Sequence, residues 1–89
     1  MPNLVREKIV AIRKAAGLTQ RELAGRLGRE HSFVARIELG ERRLDLVEFY
    51  WLCLACKVDP ELTASQVMET MAEYDSVGKT ARRTRKKAR

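Results

Sequence analysis

Three polar side chains, those of His31, Ser32 and Arg36, fall on one side of a helix plotted over residues 30–39, opposite an apolar face. An arginine fork can span O6 and N7 of a guanine, a serine can donate or accept, and a histidine offers a ring nitrogen to a base or a phosphate. The pattern is suited to hydrogen bonding with nucleic acid. A solvated helix face would use the same residue types.

The sequence has no recognisable catalytic or metal-binding pattern. It contains one histidine and lacks an H-E-x-x-H motif, a Gly-rich phosphate loop and a nucleophile–base pair. Cys53 and Cys56 lie in an apolar stretch, and His31, the other soft ligand, lies in a different segment, whereas a zinc site needs four ligands. We therefore expect no enzyme activity, no cofactor and no metal, with both cysteines reduced and packed.

The charge of the chain is strongly segregated along its 89 residues. Residues 1–44 carry a balance of +5, residues 45–75 a balance of −6, and residues 76–89 a balance of +7. The basic front half and the basic end indicate a polyanionic partner. Residues 78–89 contain no apolar side chain larger than alanine, so we expect a flexible basic tail.

For the remaining residues, 1–77, we predict one small all-α domain of five helices, because no stretch alternates between apolar and polar residues as a strand would. No apolar run is long enough to span a membrane and no signal-peptide pattern occurs, so we expect a cytoplasmic protein. Asn3, Thr19 and Asp45 are expected helix caps, and the Thr19–Glu22 pair forms a capping box. The expected helices cover about 3–16, 19–28, 30–39 and 45–57, with a fifth that starts either at Asp59-Pro60 or at Thr63.

Two of these helices, joined by Gly28-Arg29, have the form of a helix-turn-helix at about residues 19–39. The pattern G-L-T-Q-x-x-L-A-x-x-L-G from Gly17, followed by V-x-x-I-E-x-G-x-R from Val34, resembles the phage-repressor (Cro/repressor, or Xre) helix-turn-helix family. The resemblance covers about residues 4–62. It implies a five-helix, lambda-repressor-like DNA-binding domain whose second motif helix enters the major groove.

The resemblance also implies roles for individual residues on the DNA side. His31, Ser32 and Arg36 match the family's base-reading positions, and Gln20 matches a glutamine that donates to a DNA phosphate. Phe33 stands where a small polar residue is common. Its place beside the apolar residues favours the edge of the core, and a thymine-methyl contact is the alternative.

Outside the groove helix, the resemblance points to a phosphate clamp and to an ion pair. Arg42 matches the family's basic loop residue, which clamps the phosphate backbone, and Arg43 could add a second contact, although a charged surface loop is the alternative. Arg13 and Glu38 occupy positions that pair in the family and tie the first helix to the third.

The fourth helix carries a second apolar stripe of Val47, Trp51 and Leu54, which we name the α4 stripe, where polar residues are usual. Either the final helix covers it with residues such as Val67 and Met71, or a symmetry mate covers it. Both arrangements could hold. The candidate residues of a dimer interface are therefore the α4 stripe together with Val67 and Met71. The family pattern assigns to the core Leu46, Phe49, Leu52, Cys53 and Cys56.

These features together predict a sequence-specific transcriptional regulator that binds double-stranded DNA, a dimeric repressor reading a palindromic operator. The family resemblance implies a bacterial or phage origin. An antitoxin-type module, which binds a partner protein as well as its operator, is one alternative function. A restriction–modification controller is another.

Overall fold

Five α-helices and no strand make up the part of the chain that the computed structural model describes, residues 4–78. The all-α expectation is therefore confirmed for these residues. Asn3, as a cap, and the predicted basic tail beyond Gly78 lie outside the described residues. The helices are α1 (Leu4–Ala15), α2 (Gln20–Arg26), α3 (Phe33–Glu38), α4 (Leu46–Ala55) and α5 (Pro60–Gly78).

Reciprocal capping boxes set the first residues of α2 and α4. The backbone N–H of Glu22 donates to Thr19 Oγ1 at 3.0 Å, and the N–H of Thr19 donates to Glu22 Oε1 at 2.8 Å. The N–H of Glu48 donates to Asp45 Oδ1 at 2.7 Å, and the N–H of Asp45 donates to Glu48 Oε1 at 3.0 Å. Both predicted caps are confirmed, because local side chains satisfy N–H groups that lack a helical partner.

The start of the third helix differs from expectation, and the start of the fifth agrees with one of its two predicted positions. The third helix begins at Phe33 rather than near Glu30, because the N–H of Phe33 bonds to the carbonyl of Glu30 at 3.0 Å and closes a tighter turn first. The fifth begins at Pro60, since Asp59 Oδ1 accepts from the N–H of Glu61 at 2.9 Å. The alternative start at Thr63 is wrong, and that residue is buried inside the helix.

The core lies between the first four helices, and α5 packs against α1 and α4. Burial raises the pKa of both cysteine thiols, because an apolar environment disfavours the thiolate. Over the described residues, no helix combines the length and apolar character that a membrane span requires. The core cluster consists of Ile9, Ile12, Leu23, Ala24, Phe33, Val34, Ile37, Leu52, Cys53 and Cys56.

Two glycines meet opposite structural demands. Gly40, which follows α3, has φ +83°, and a Cβ there would contact the guanidinium group of Arg6. Gly25 lies inside α2, and a Cβ there would point into open space. Of these two glycines, Gly40 alone needs the left-handed conformation and the small volume that glycine provides.

We expect Gly25→Ala to raise the free energy of unfolding by about 0.5–1 kcal/mol, because alanine has the higher helix propensity. Gly40→Ala should lower it by about 1–2 kcal/mol through the backbone conformation alone. Thermal unfolding of the two variants measures both effects, at roughly 4–8 °C for each kcal/mol in a domain of this size. Equal melting temperatures for the two variants would contradict this assignment.

Candidate nucleic-acid interface

A nearly buried ion pair joins the end of α3 to α1. Arg13 Nε lies 2.7 Å from Glu38 Oε2, and Nη2 lies 3.1 Å from Oε1. The third guanidinium nitrogen of Arg13 donates to the carbonyl of Leu18 at 2.9 Å. The two residues that the family resemblance pairs are therefore in contact, and the same arginine holds the loop between α1 and α2.

Gln20, the first residue of α2, is attached to the same carboxylate. Its Nε2 donates to Glu38 Oε1 at 2.7 Å, and the side chain is half-buried. A carboxamide has two N–H donors and one carbonyl acceptor, so one N–H is engaged here and the other polar groups can meet a ligand. Glu38 thus sets the orientation of the amide that the sequence assigns to a phosphate.

The base-reading candidates divide between a turn and a helix. Arg36 lies on α3, is exposed, and makes no side-chain hydrogen bond or ion pair within residues 4–78. His31 and Ser32 are also exposed, but they lie in the turn before α3 rather than on the expected helix. The helix placement of these two residues is therefore wrong, because the turn that begins at Glu30 delays the start of α3.

His31 has a partner that sequence reasoning missed. Arg21 Nη2 lies 3.0 Å from His31 Nδ1. A guanidinium group can only donate, so Nδ1 accepts and the ring proton is on Nε2, which leaves Nε2–H as a donor. No pattern in the sequence signals this contact. Arg21 lies in the first turn of α2 and His31 ten residues later in the turn before α3, so their proximity depends on how the chain folds between the two helices.

A second carboxylate, that of Glu48, binds two arginines and was also missed. Arg42 Nη1 and Nη2 donate to Oε1 and Oε2 at 3.0 and 2.9 Å, and Arg29 Nη1 donates to Oε2 at 3.2 Å. Arg42 Nη1 also donates to the carbonyl of Arg43 at 2.7 Å. The guanidinium of Arg42, which the sequence assigns to a phosphate, is therefore hydrogen-bonded to other groups of the protein, although the side chain is partly exposed. The capping box at Asp45 was the only sequence signal for Glu48.

The ring of Phe33 completes this cluster. The guanidinium carbon of Arg29 lies 4.2 Å from the ring centroid, and that of Arg42 lies 4.7 Å from it, distances at which a cation is attracted to an aromatic face. Phe33 itself is fully buried. The core-edge interpretation of Phe33 therefore holds, and its burial excludes the thymine-methyl contact.

The hydrogen bonds of the cluster shift the pKa values of Glu48 and Arg42. The bonds from Arg42, followed by the backbone N–H of Asp45, lower the pKa of Glu48 from its ordinary 4.5 to about 2. The bond to Glu48 raises the pKa of Arg42 in turn. Both groups stay charged at neutral pH, so the loop after α3 is held by a charged pair.

The α4 stripe stays open, because α5 does not cover it. The exposed fractions of Val47, Trp51 and Leu54 are 54%, 51% and 49%. Leu46 and Tyr50 extend the same outer face at 77% and 50%. The assignment of Leu46 to the core is therefore wrong: it lies at the uncovered first turn of α4, on the rim of a groove beside α5.

The two residues of α5 that were assigned to an interface behave differently. Val67 is 6% exposed and belongs to the core, so it is not available to a partner, and that assignment is wrong. Met71 is half-buried and lines the apolar groove between α4 and α5 together with Met68, which is exposed. The groove includes Leu46, so the open apolar surface continues from α4 towards Met68.

The structure brings no set of metal ligands together over the residues it describes. No group of three or more His, Cys, Asp or Glu side chains is placed to hold an ion there. Every buried side-chain nitrogen or oxygen of these residues also has a hydrogen-bond partner. The outward-pointing side chains of this surface can form hydrogen bonds and ion pairs.

Comparison with known proteins agrees with this geometry. A family model described as a helix-turn-helix domain matches residues 9–66. A solved structure, an XRE-family like protein from Pseudomonas syringae pv. tomato str. DC3000, is 42% identical, with a TM-score of 0.70 over 74% of this chain and 80% of that chain. No curated protein matches the chain.

We expect stability to fall below pH 4.5 because of Glu48. Its pKa is lower in the folded chain than the ordinary 4.5, so its bonds stabilise the fold fully above that pH and are lost as the pH falls towards about 2. The loss should reach up to about 3 kcal/mol in the free energy of unfolding. Urea unfolding at several pH values measures it.

Glu48→Gln should remove this part of the pH dependence. Glu22→Gln is the matched control, because Glu22 occupies the same capping-box position on α2 without an arginine partner among residues 4–78. If the free energy of unfolding of Glu48→Gln falls at low pH as it does in the wild type, the bonds of Glu48 to Arg42 and Arg29 do not cause that fall.

Proposed function

The chain belongs to the Xre-type helix-turn-helix family, and we propose that this DNA-binding regulator is a homodimeric repressor that reads a palindromic operator. One observation carries the proposal: Arg36 is exposed and unpaired within residues 4–78, while Glu38, two residues further along α3, is fixed to α1 and α2. Base recognition requires a helix in a fixed position and a side chain that is free to donate hydrogen bonds to the base.

Base recognition is assigned to α3 and the turn before it. Arg36 would donate both arms of its fork to a guanine in the major groove. Ser32 makes no capping bond, so its hydroxyl can donate or accept. His31, aligned by Arg21, would offer Nε2–H to a base acceptor or a phosphate.

Phosphate binding is assigned to groups that flank this surface. Gln20 would donate its second amide N–H to one strand, and the loop with Arg42 and Arg43 would lie along the backbone beyond α3. The seven positive charges of residues 79–89 would add contacts that do not depend on sequence. These contacts place the domain, and α3 reads the bases.

Dimerisation is assigned to the open outer face of α4. Its exposed residues carry no charge, so a second copy can meet the same face without repulsion. None of these residues is among the candidate DNA contacts, so both surfaces can act together. A dimer that occupies its operator keeps other proteins off that DNA, so repression in the cytoplasm of a bacterium is the proposed output.

We expect Arg36→Ala to weaken binding to a duplex selected by the wild-type protein by about 1–3 kcal/mol, with a smaller effect on a scrambled duplex. Gln20→Ala is the matched comparison and should weaken binding to both duplexes alike. Fluorescence anisotropy at fixed salt measures the four affinities, and circular dichroism checks the fold. Equal losses for Arg36→Ala on the two duplexes would make it a phosphate contact.

We expect Trp51→Glu to give a folded monomer, because a charge at the centre of an apolar interface meets its own copy across the two-fold axis. Sedimentation at micromolar concentration measures the assembly, and helicity shows whether the fold is kept. Leu62→Glu is the control, since Leu62 is 57% exposed on α5, outside the α4 stripe. A wild type that is only monomeric would instead favour a partner protein on this face, as in the antitoxin-type alternative.

A further inference from the structure

The two adjacent arginines of the loop after α3 are in different physical states. Arg42 makes three hydrogen bonds, two to Glu48 and one to the carbonyl of Arg43, and its guanidinium lies over the Phe33 ring. Arg43 is exposed, and its side chain has no polar partner within the described range 4–78. One arginine is therefore part of the scaffold, and its neighbour is available to a ligand.

The backbone from which Arg43 projects is held by hydrogen bonds before this residue and at its own carbonyl. Before it, the N–H of Gly40 bonds to the carbonyl of Ile37 at 3.0 Å, and the N–H of Glu41 bonds to the carbonyl of Arg36 at 2.9 Å. At Arg43 itself, the carbonyl accepts from Arg42 Nη1 at 2.7 Å. The position of the Arg43 main chain relative to α3 thus depends on the pair formed by Arg42 and Glu48.

We propose that Arg43 is the residue of this loop that binds a DNA phosphate, and that Arg42 is a positioning residue that holds the Arg43 main chain through Glu48. This inference rests on the proposed DNA-binding function and divides the phosphate role that the sequence gave to both residues. The ligand group is a backbone phosphodiester, bound without regard to sequence.

The relative cost of the two contacts favours Arg43. To reach a phosphate with the atoms it now uses, Arg42 would have to leave Glu48, which is buried, with Arg29 as its one cationic partner among the described residues. It would also give up the ring contact. Arg43 would exchange only water for the phosphate, and it carries no compensating carboxylate among those residues.

The first test is the salt dependence of binding to a random-sequence duplex. Arg43→Gln should reduce the slope of log K against log [salt] by about 0.9 and leave the melting temperature unchanged. Arg43→Lys should restore the wild-type slope, because an ammonium group also binds phosphate. A wild-type slope in Arg43→Gln would overturn the inference.

The second test separates positioning from contact at Arg42. Arg42→Lys keeps the charge but cannot form the two-armed bond to Glu48, so it should lower the melting temperature as Arg42→Gln does. The double variant Arg42→Gln/Arg43→Gln should have the slope of Arg43→Gln alone, since Arg42 acts through Arg43. If Arg42→Lys keeps the wild-type melting temperature and slope, or if the double variant loses two contacts, Arg42 binds phosphate itself.

Glu48→Gln covers the case in which the Arg42 variants do not fold. This substitution weakens the bonds that hold Arg42 to residue 48 and keeps the Arg42 side chain. If Arg42 bound a DNA phosphate directly, its release would strengthen that contact and the affinity for DNA would rise. We expect no increase in affinity. These outcomes are distinct from failure of the proposed function, in which the wild type itself shows no salt-dependent binding to any duplex.

Discussion

The carboxylate of Glu38 is the group on which the geometry of the candidate nucleic-acid interface depends. Glu38 is the last residue of α3. Its carboxylate accepts two hydrogen bonds from Arg13 of α1 and one from the amide of Gln20 at the start of α2. One side chain therefore relates three helices. Because the pair is nearly buried, loss of either charged partner would leave an uncompensated charge, at a cost of about 3–5 kcal/mol.

This constraint matters because α3 has only six residues. A helix of that length does not form alone in water, since the first turn costs more conformational entropy than it recovers in hydrogen bonds. Tertiary contacts must therefore hold it at each end. Glu38 does this at the end of α3. At its start, Phe33 is buried beneath the two arginines that Glu48 binds. Two carboxylates, one acting at each end of α3, thus provide the stabilisation that its short length does not.

The sequence predicted what depends on local spacing and could not predict what depends on distant partners. The capping box at Thr19 follows from residues three apart, the cap at Asp45 from its residue type, and the exposure of Arg36 from helical periodicity. The contact between Arg29 and Glu48 joins residues nineteen apart, with α3 and the loop after it between them, so no local pattern reveals it. Leu46 and Val67 were misplaced for a related reason: the side of a helix that is covered depends on how the next helix crosses it.

The separation between the outward-facing residues and the core also bears on how such a protein can evolve. His31, Ser32 and Arg36 contribute nothing to the buried cluster, whereas Val34 and Ile37, their neighbours in the same segment, are fully part of it. Mutations at the outward positions can therefore accumulate without passing through unfolded intermediates. With the base-reading role proposed for these positions, descendants of one stable scaffold would acquire new target sites through a few codon changes, and a combinatorial library confined to those positions would sample the same variants.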